Sequence, residues 1–89
     1  MTHEQIAWQE DLVEIFGDAY DPTFVPVWHA SWSDHEECGW IYLLEKDGQH
    51  YLQQGGYSVM AEDNTPFWNP WRVSEAEALD EMISRESQG

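Results

Sequence analysis

Gly39-Trp40-Ile41-Tyr42-Leu43-Leu44-Glu45 is the stretch that decides the fold of this chain. Aromatic and aliphatic side chains run through it without a break, a composition suited to a pleated sheet. It stops at Asp47-Gly48, a pair able to supply positive φ at both central positions of a two-residue hairpin turn, so the chain doubles back into a second strand over residues 50–54. Upstream, residues 27–32 alternate loosely with β-branched and aromatic side chains and read as a strand, followed by a polar connector over 33–38. Downstream, Gly55-Gly56 gives the backbone freedom for a bulge or turn, and residues 57–61 read as a further strand. An antiparallel meander of three or four strands follows.

Helices flank the meander. Thr2 with Gln5 three residues on has the form of a capping box, and no Gly or Pro interrupts residues 3–16. At about 100° per residue, Trp8, Leu12, Ile15 and Phe16 gather on one side, while Glu10, Asp11 and Glu14 gather on another, with Glu4 and Asp18 near its edge. Asp21-Pro22 and Pro26 make residues 20–26 an extended or turning connection, because each proline disfavours helix at the residue before it. Ser74-Glu75-Ala76-Glu77 is a second capping box, opening a helix to about residue 86 that turns Ala76, Leu79, Met82 and Ile83 inward and Glu77, Asp80 and Glu81 outward. The predicted fold class is α+β. An N-terminal helix, an antiparallel meander of three to four strands and a C-terminal helix packed on the sheet form a single domain over residues 1–89, with one or both helices covering one sheet face.

Charge sets the second constraint. Eighteen acidic residues oppose three basic ones, for a net charge of -15, a field that repels nucleic acid and anionic membranes and attracts basic protein surfaces. This is no disordered acidic tail, because 42% of the residues are apolar and six are tryptophan. A single cysteine, Cys38, can form no internal disulfide, no apolar run approaches the roughly 18 residues of a membrane span, and the N-terminus has no leader pattern, so a soluble cytoplasmic protein is expected.

Residue patterns that would carry chemistry are sparse. Asp34-His35-Glu36-Glu37-Cys38 is the densest group of potential ligands, and His35 with Cys38 has a spacing used in zinc sites, but no second half accompanies it and a solvated loop is the plainer reading. No nucleophile motif, phosphate-binding glycine loop or dinucleotide fingerprint is present, so a non-enzymatic protein without metal or cofactor is expected.

The acids themselves are the remaining signal. Residues three and four apart on a helix are neighbours, so Glu10 with Glu14, and Glu77 with Asp80 and Glu81, form rows of like charge that weaken a helix. Only Lys46, Arg72 and Arg85 could relieve them. DNA presents one charge per roughly 1.7 Å of duplex axis, and a basic groove built for it accepts ordered carboxylates as a rigid substitute. In size, charge and the layout of its helices and strands the chain resembles the small acidic inhibitors that bacteriophages direct at host defence, the DNA-mimicking anti-CRISPR and anti-restriction proteins, without sharing a signature motif with them. The resemblance implies an inhibitor of a basic nucleic-acid-binding complex in the host cytoplasm, acting as a monomer or small homo-oligomer. Glu10, Asp11, Glu14, Glu77, Asp80 and Glu81 would stand in for phosphates, and Asp34, Glu36 and Glu37 would extend the row.

A rival reading rests on residues 67–71, Phe67-Trp68-Asn69-Pro70-Trp71, an aromatic loop in which Trp68 and Trp71 would anchor a partner protein. The charge would then serve solubility or adaptation to salt.

Overall fold

The computed structural model describes residues 2–33, 37–58 and 67–87. Helix α1 (His3–Phe16) runs into a single 3-10 turn at Gly17–Ala19. Strands β1 (Val25–Ser33), β2 (Glu37–Lys46), β3 (Gln49–Ser58) and β4 (Trp71–Val73) follow, and helix α2 (Glu75–Ser87) closes the fold. The strands form one sheet in the order β1-β2-β3-β4, every neighbouring pair antiparallel, so the chain is α+β.

The hairpin at its centre is the one the sequence announces. Lys46 pairs with Gln49 across a two-residue turn in which Asp47 has φ 52° and Gly48 φ 76°. The capping box of α1 is closed at both ends: the Thr2 N–H donates to Gln5 Oε1 at 2.9 Å, and the Gln5 N–H donates to Thr2 Oγ1 at 3.1 Å. At α2 the Glu77 N–H donates to Ser74 Oγ at 3.1 Å.

Four consecutive residues of β2 are buried: Ile41, Tyr42, Leu43 and Leu44, none more than 4% exposed. Successive strand side chains point to opposite faces, so β2 has no face to give to water and both need a cover. The helices therefore lie on opposite sides of the sheet, where the sequence had allowed both on one. Beneath α1, Leu12 packs with Tyr20, Tyr42 and Leu44, and Trp8, Phe16, Phe24, Trp40, Tyr51 and Trp68 surround them. Beneath α2, Ala78 packs with Ile41, Leu43, Leu52 and Val73, flanked by Val27, Trp28, Ala30, Trp32 and Met82. Helix α1 crosses its face diagonally, from Gln5 bonded to the Pro26 carbonyl at the β1 edge to Phe16 against Trp40 and Trp68.

Three expectations are corrected. Gly55-Gly56 makes no turn: β3 runs through both, and Gly55 is the cross-strand partner of Trp40, whose ring occupies the space a Cβ would need. Trp32 covers Gly39 in the same way. These glycines are seats for indole rings rather than points of flexibility. The fourth strand is Trp71–Val73, too short at three residues to show a period in sequence; of the strand expected over 57–61, Tyr57 and Ser58 end β3 and residues 59–61 lie outside the described residues. Finally, α2 packs through Ala78 and Met82, whereas Ala76, Leu79 and Ile83, expected inward, are exposed. A small Ala78 lets the helix axis approach the strands closely, and that contact sets the rotation of the helix about its axis.

Gln53 is the one buried polar side chain among the described core residues, 1% exposed, and its amide is fully used. Its Nε2 donates to the Phe67 carbonyl and to Asn69 Oδ1, both at 3.2 Å, and its Oε1 accepts from the Asn69 N–H at 2.9 Å. These bonds hold residues 67–69 against β3 and seat Trp68 in the α1 layer.

Replacing Gly55 by Ala forces the Trp40 ring from its seat, and denaturant unfolding is expected to show a loss of about 1–3 kcal/mol. Gln53→Leu leaves the Asn69 N–H without its acceptor and should cost a similar ~1–3 kcal/mol, with the near-ultraviolet signal of Trp68 altered in the folded state.

Candidate partner-binding surfaces

On α1 the direction of the acids follows from the direction of the core. Leu12 is fully buried and Trp8, Ile15 and Phe16 are half-buried, which turns Glu10, Asp11 and Glu14 to solvent; all three are exposed. On α2 the same logic around Ala78 exposes Glu77 and Asp80. Glu81 differs: it is half-buried and accepts from Arg85 Nε at 2.9 Å, one turn along the helix. The Arg85 guanidinium also lies over the Trp32 ring at 4.2 Å, so Glu81 belongs to a local cluster that offsets its charge.

The other bases are placed elsewhere. Lys46 is 3.8 Å from Asp21 and 4.8 Å from the Phe24 ring centroid, a site on the β2–β3 turn. Hydrogen bonds from the Thr23 hydroxyl and N–H hold the exposed Asp21 carboxyl below its usual range. Arg72 lines a cleft of about 430 Å³ with Glu75 and Glu77, at the start of α2. Among the described residues, Glu10, Asp11, Glu14, Glu77 and Asp80 take part in no ion pair.

Among the described residues, the structure thus brings the predicted acids together only within each helix. The α1 row and the α2 row sit on opposite outer faces of the sheet, directed away from each other. Asp34 and Glu36 lie outside the described residues, and Glu37 is described only by its backbone at the start of β2.

The aromatic loop divides. Trp68 is half-buried and meets Phe16, Tyr20 and Phe24 edge to face, with centroids at 5.2, 5.1 and 5.6 Å. Three such contacts, each worth about 0.5–1.5 kcal/mol beyond area burial, make it a packing hub. Phe67 and Trp71 are the outward rings, 69% and 43% exposed. Cys38 is exposed and unpaired, and among the described residues no group of three His, Cys, Asp or Glu side chains is placed to hold a metal ion; His35 lies outside them.

One feature near the α1 row was not read from the sequence. Gln9, Glu10, Val13, Gly17, Asp18, Tyr20 and Pro22 line an open cleft of about 640 Å³ where α1 ends. Its signal was Val13, an apolar residue three positions after Glu10 on the wrong side of the helix, 51% exposed. Gly17, at φ 58°, turns the chain there and brings Tyr20 and Pro22 back beside the helix. The Tyr20 hydroxyl donates to the Phe24 carbonyl at 2.8 Å, and burial raises its pKa.

The charge of the exposed Asp11 also acts on two groups of the α1 layer, His29 and Tyr42. His29 lies between Trp8 and Tyr42, with centroids at 6.2 and 4.6 Å. Burial lowers the pKa of His29 against a smaller opposite pull from Asp11, and burial followed by Asp11 pushes the Tyr42 phenol up to about 12. Since the folded state favours neutral His29, the unfolded chain binds the proton first as pH falls. The stability tied to this residue is complete above the ordinary histidine range and is lost below about pH 6.5, toward the lowered value. Relief of carboxylate repulsion acts in the opposite direction across the whole molecule. The measurement is therefore a difference: wild type is expected to lose stability relative to His29→Gln as pH goes from about 7.5 to about 5 in chemical denaturation. Among known proteins the chain matches no protein-family model, no curated sequence and no solved structure.

Proposed function

We propose that this protein is a non-enzymatic inhibitor that occupies the basic, nucleic-acid-binding surface of a host defence complex, with helix carboxylates standing in for phosphates. The observation that carries the reading is the set Glu10, Asp11, Glu14, Glu77 and Asp80: exposed, outside any ion pair among the described residues, and borne on two helices anchored to one sheet. Rigid mounting matters because a carboxylate fixed in place loses less entropy on meeting a lysine or arginine than one on a disordered tail. Two acidic faces directed apart suit a channel with two basic walls, the kind that holds a duplex, better than a flat patch. Glu81 contributes less than its neighbours because Arg85 already pairs it. The protein acts in the host cytoplasm; among the described residues no helix is long and apolar enough to cross a membrane.

A second reading is favoured by Phe67 and Trp71, whose exposed rings could dock a partner protein with the charge serving solubility or salt adaptation.

Capture from a nuclease-treated bacterial lysate, eluted with salt, separates the two. Under mimicry a basic nucleic-acid-binding complex is retained at low salt and displaced by added duplex. Neutralising E10Q, D11N, E14Q, E77Q and D80N together then weakens binding at least about tenfold while circular dichroism and the unfolding transition show an intact fold. Full binding by that variant sinks mimicry. Salt-insensitive binding lost on replacing Phe67 and Trp71 establishes the aromatic reading; Trp68 is unsuitable for this test because its loss opens the core.

A further inference from the structure

The register of the sheet shows which way each backbone group of β1 points. A two-residue hairpin makes Lys46 and Gln49 a hydrogen-bonded pair, so even-numbered residues of β2 bond β3 and odd-numbered ones bond β1. Leu43, Ile41 and Gly39 are the partners of Trp28, Ala30 and Trp32, which therefore bond inward. His29, Ser31 and Ser33 turn their N–H and C=O groups out from the sheet. Pro26 fits the same count: its carbonyl points outward and accepts from Gln5 Nε2 at 3.2 Å.

Among the described residues, this edge is guarded at one end only. Pro26 has no N–H to offer, the register shifts between Pro26 and Trp28, and the start of α1 reaches over that end. From Trp28 to Ser33 none of the usual guards is present: no proline, no irregularity and no charge. By Phe16 the helix has crossed to Trp40 and Trp68, leaving Ser31 and Ser33 exposed. The whole of β1, Val25–Ser33, carries no ionisable carboxylate, in a chain with 18 acids in 89 residues. A cationic target gains nothing from such an edge. A second copy of the same polyanion, repelled at the acidic helix faces, finds there a stretch that does not repel it.

We infer that two copies pair through β1, antiparallel about a two-fold axis at Ser31, joining two four-stranded sheets into one of eight. Ser31 faces Ser31 of the second copy and His29 faces its Ser33, each pair exchanging both backbone hydrogen bonds. On the α2 side Trp32 comes opposite the second copy's Ala30; its ring leans inward over Gly39 of its own chain and against Arg85, so it does not obstruct the approach of the second strand. The contact is short, of the transient class, and works against the repulsion of two chains of charge -15. Salt screens that repulsion, so this association strengthens with ionic strength, whereas binding to a basic target weakens.

Sedimentation velocity on the full chain, over rising protein concentration at about 0.05 M and about 0.5 M salt, tests the inference. The expected result is a reversible monomer–dimer equilibrium whose association constant rises at least about tenfold with salt. Ser31→Glu sets two carboxylates face to face on the axis, and Ser31→Pro removes an outward N–H that bonds nothing in β2; each lowers association at least about tenfold. Circular dichroism and the unfolding midpoint of Ser31→Glu, at an exposed position, confirm that the fold is kept. A chain that stays monomeric at the highest concentration and salt overturns the inference and leaves the edge to a strand from another protein. A dimer that survives both Ser31 variants, or that is broken by Leu79→Glu on α2 instead, overturns it as well. Neither result depends on whether a basic target is captured.

Discussion

The rest of the structure depends on the burial of β2 from both sides. Ile41 and Leu43 look toward α2, Tyr42 and Leu44 toward α1, and each is nearly excluded from water. A strand of this kind cannot sit in a sheet with one wet face, because two large side chains would remain exposed whichever way the sheet turned. Both helices are consequently held as covers, one to a side. The short β4 and the 67–69 segment follow from the same requirement, closing the sheet beside β3 through Gln53 and seating Trp68 in the α1 layer.

The position of the acids is a consequence of that arrangement. Once Leu12 and Ala78 point inward, the carboxylates of each helix point outward, and the sheet keeps the two rows apart. Repulsion between neighbouring carboxylates on an exposed helix costs about 0.2–0.5 kcal/mol per pair and is weakened by salt. Burying one large apolar side chain is worth about 1.5–3 kcal/mol, and the α1 layer holds several aromatic rings in edge-to-face contact besides. A small aromatic-rich core can therefore carry a surface charge that a helix alone would not tolerate. The indole rings over Gly39 and Gly55 belong to the same economy of space, placing bulk where a neighbouring residue has none.

Charge is also distributed unevenly over the elements. The helices carry the unpaired rows, Lys46 at the end of β2 pairs with Asp21 in the connection before β1, and β1 carries no carboxylate, lysine or arginine. Acidic faces and a neutral strand edge respond to ionic strength in opposite senses, since salt weakens the attraction of the faces for a cation and also weakens the repulsion that opposes contact between copies at the edge. They lie on different parts of the fold, so occupying one does not by itself consume the other.

Local patterns determined most of the elements. Asp47-Gly48 defined the hairpin, Thr2 with Gln5 defined the start of α1, and the run from Gly39 to Glu45 defined a central strand, because capping, positive φ and unbroken apolarity act over a few residues and are written in adjacent side chains. The acidity of both helices was equally legible. What the tertiary structure alone decided was which side each helix covered, that Gly55 and Gly56 continue a strand, that three residues at Trp71–Val73 form another, and that α2 packs through Ala78 and leaves Leu79 exposed. Each of these turns on a partner distant in sequence: a ring needing a glycine opposite it, a strand needing β3 beside it, a helix needing to approach two strands at once. Local sequence shows which faces are apolar, but only packing decides which of two apolar faces is buried, since burying one holds the helix away from the other.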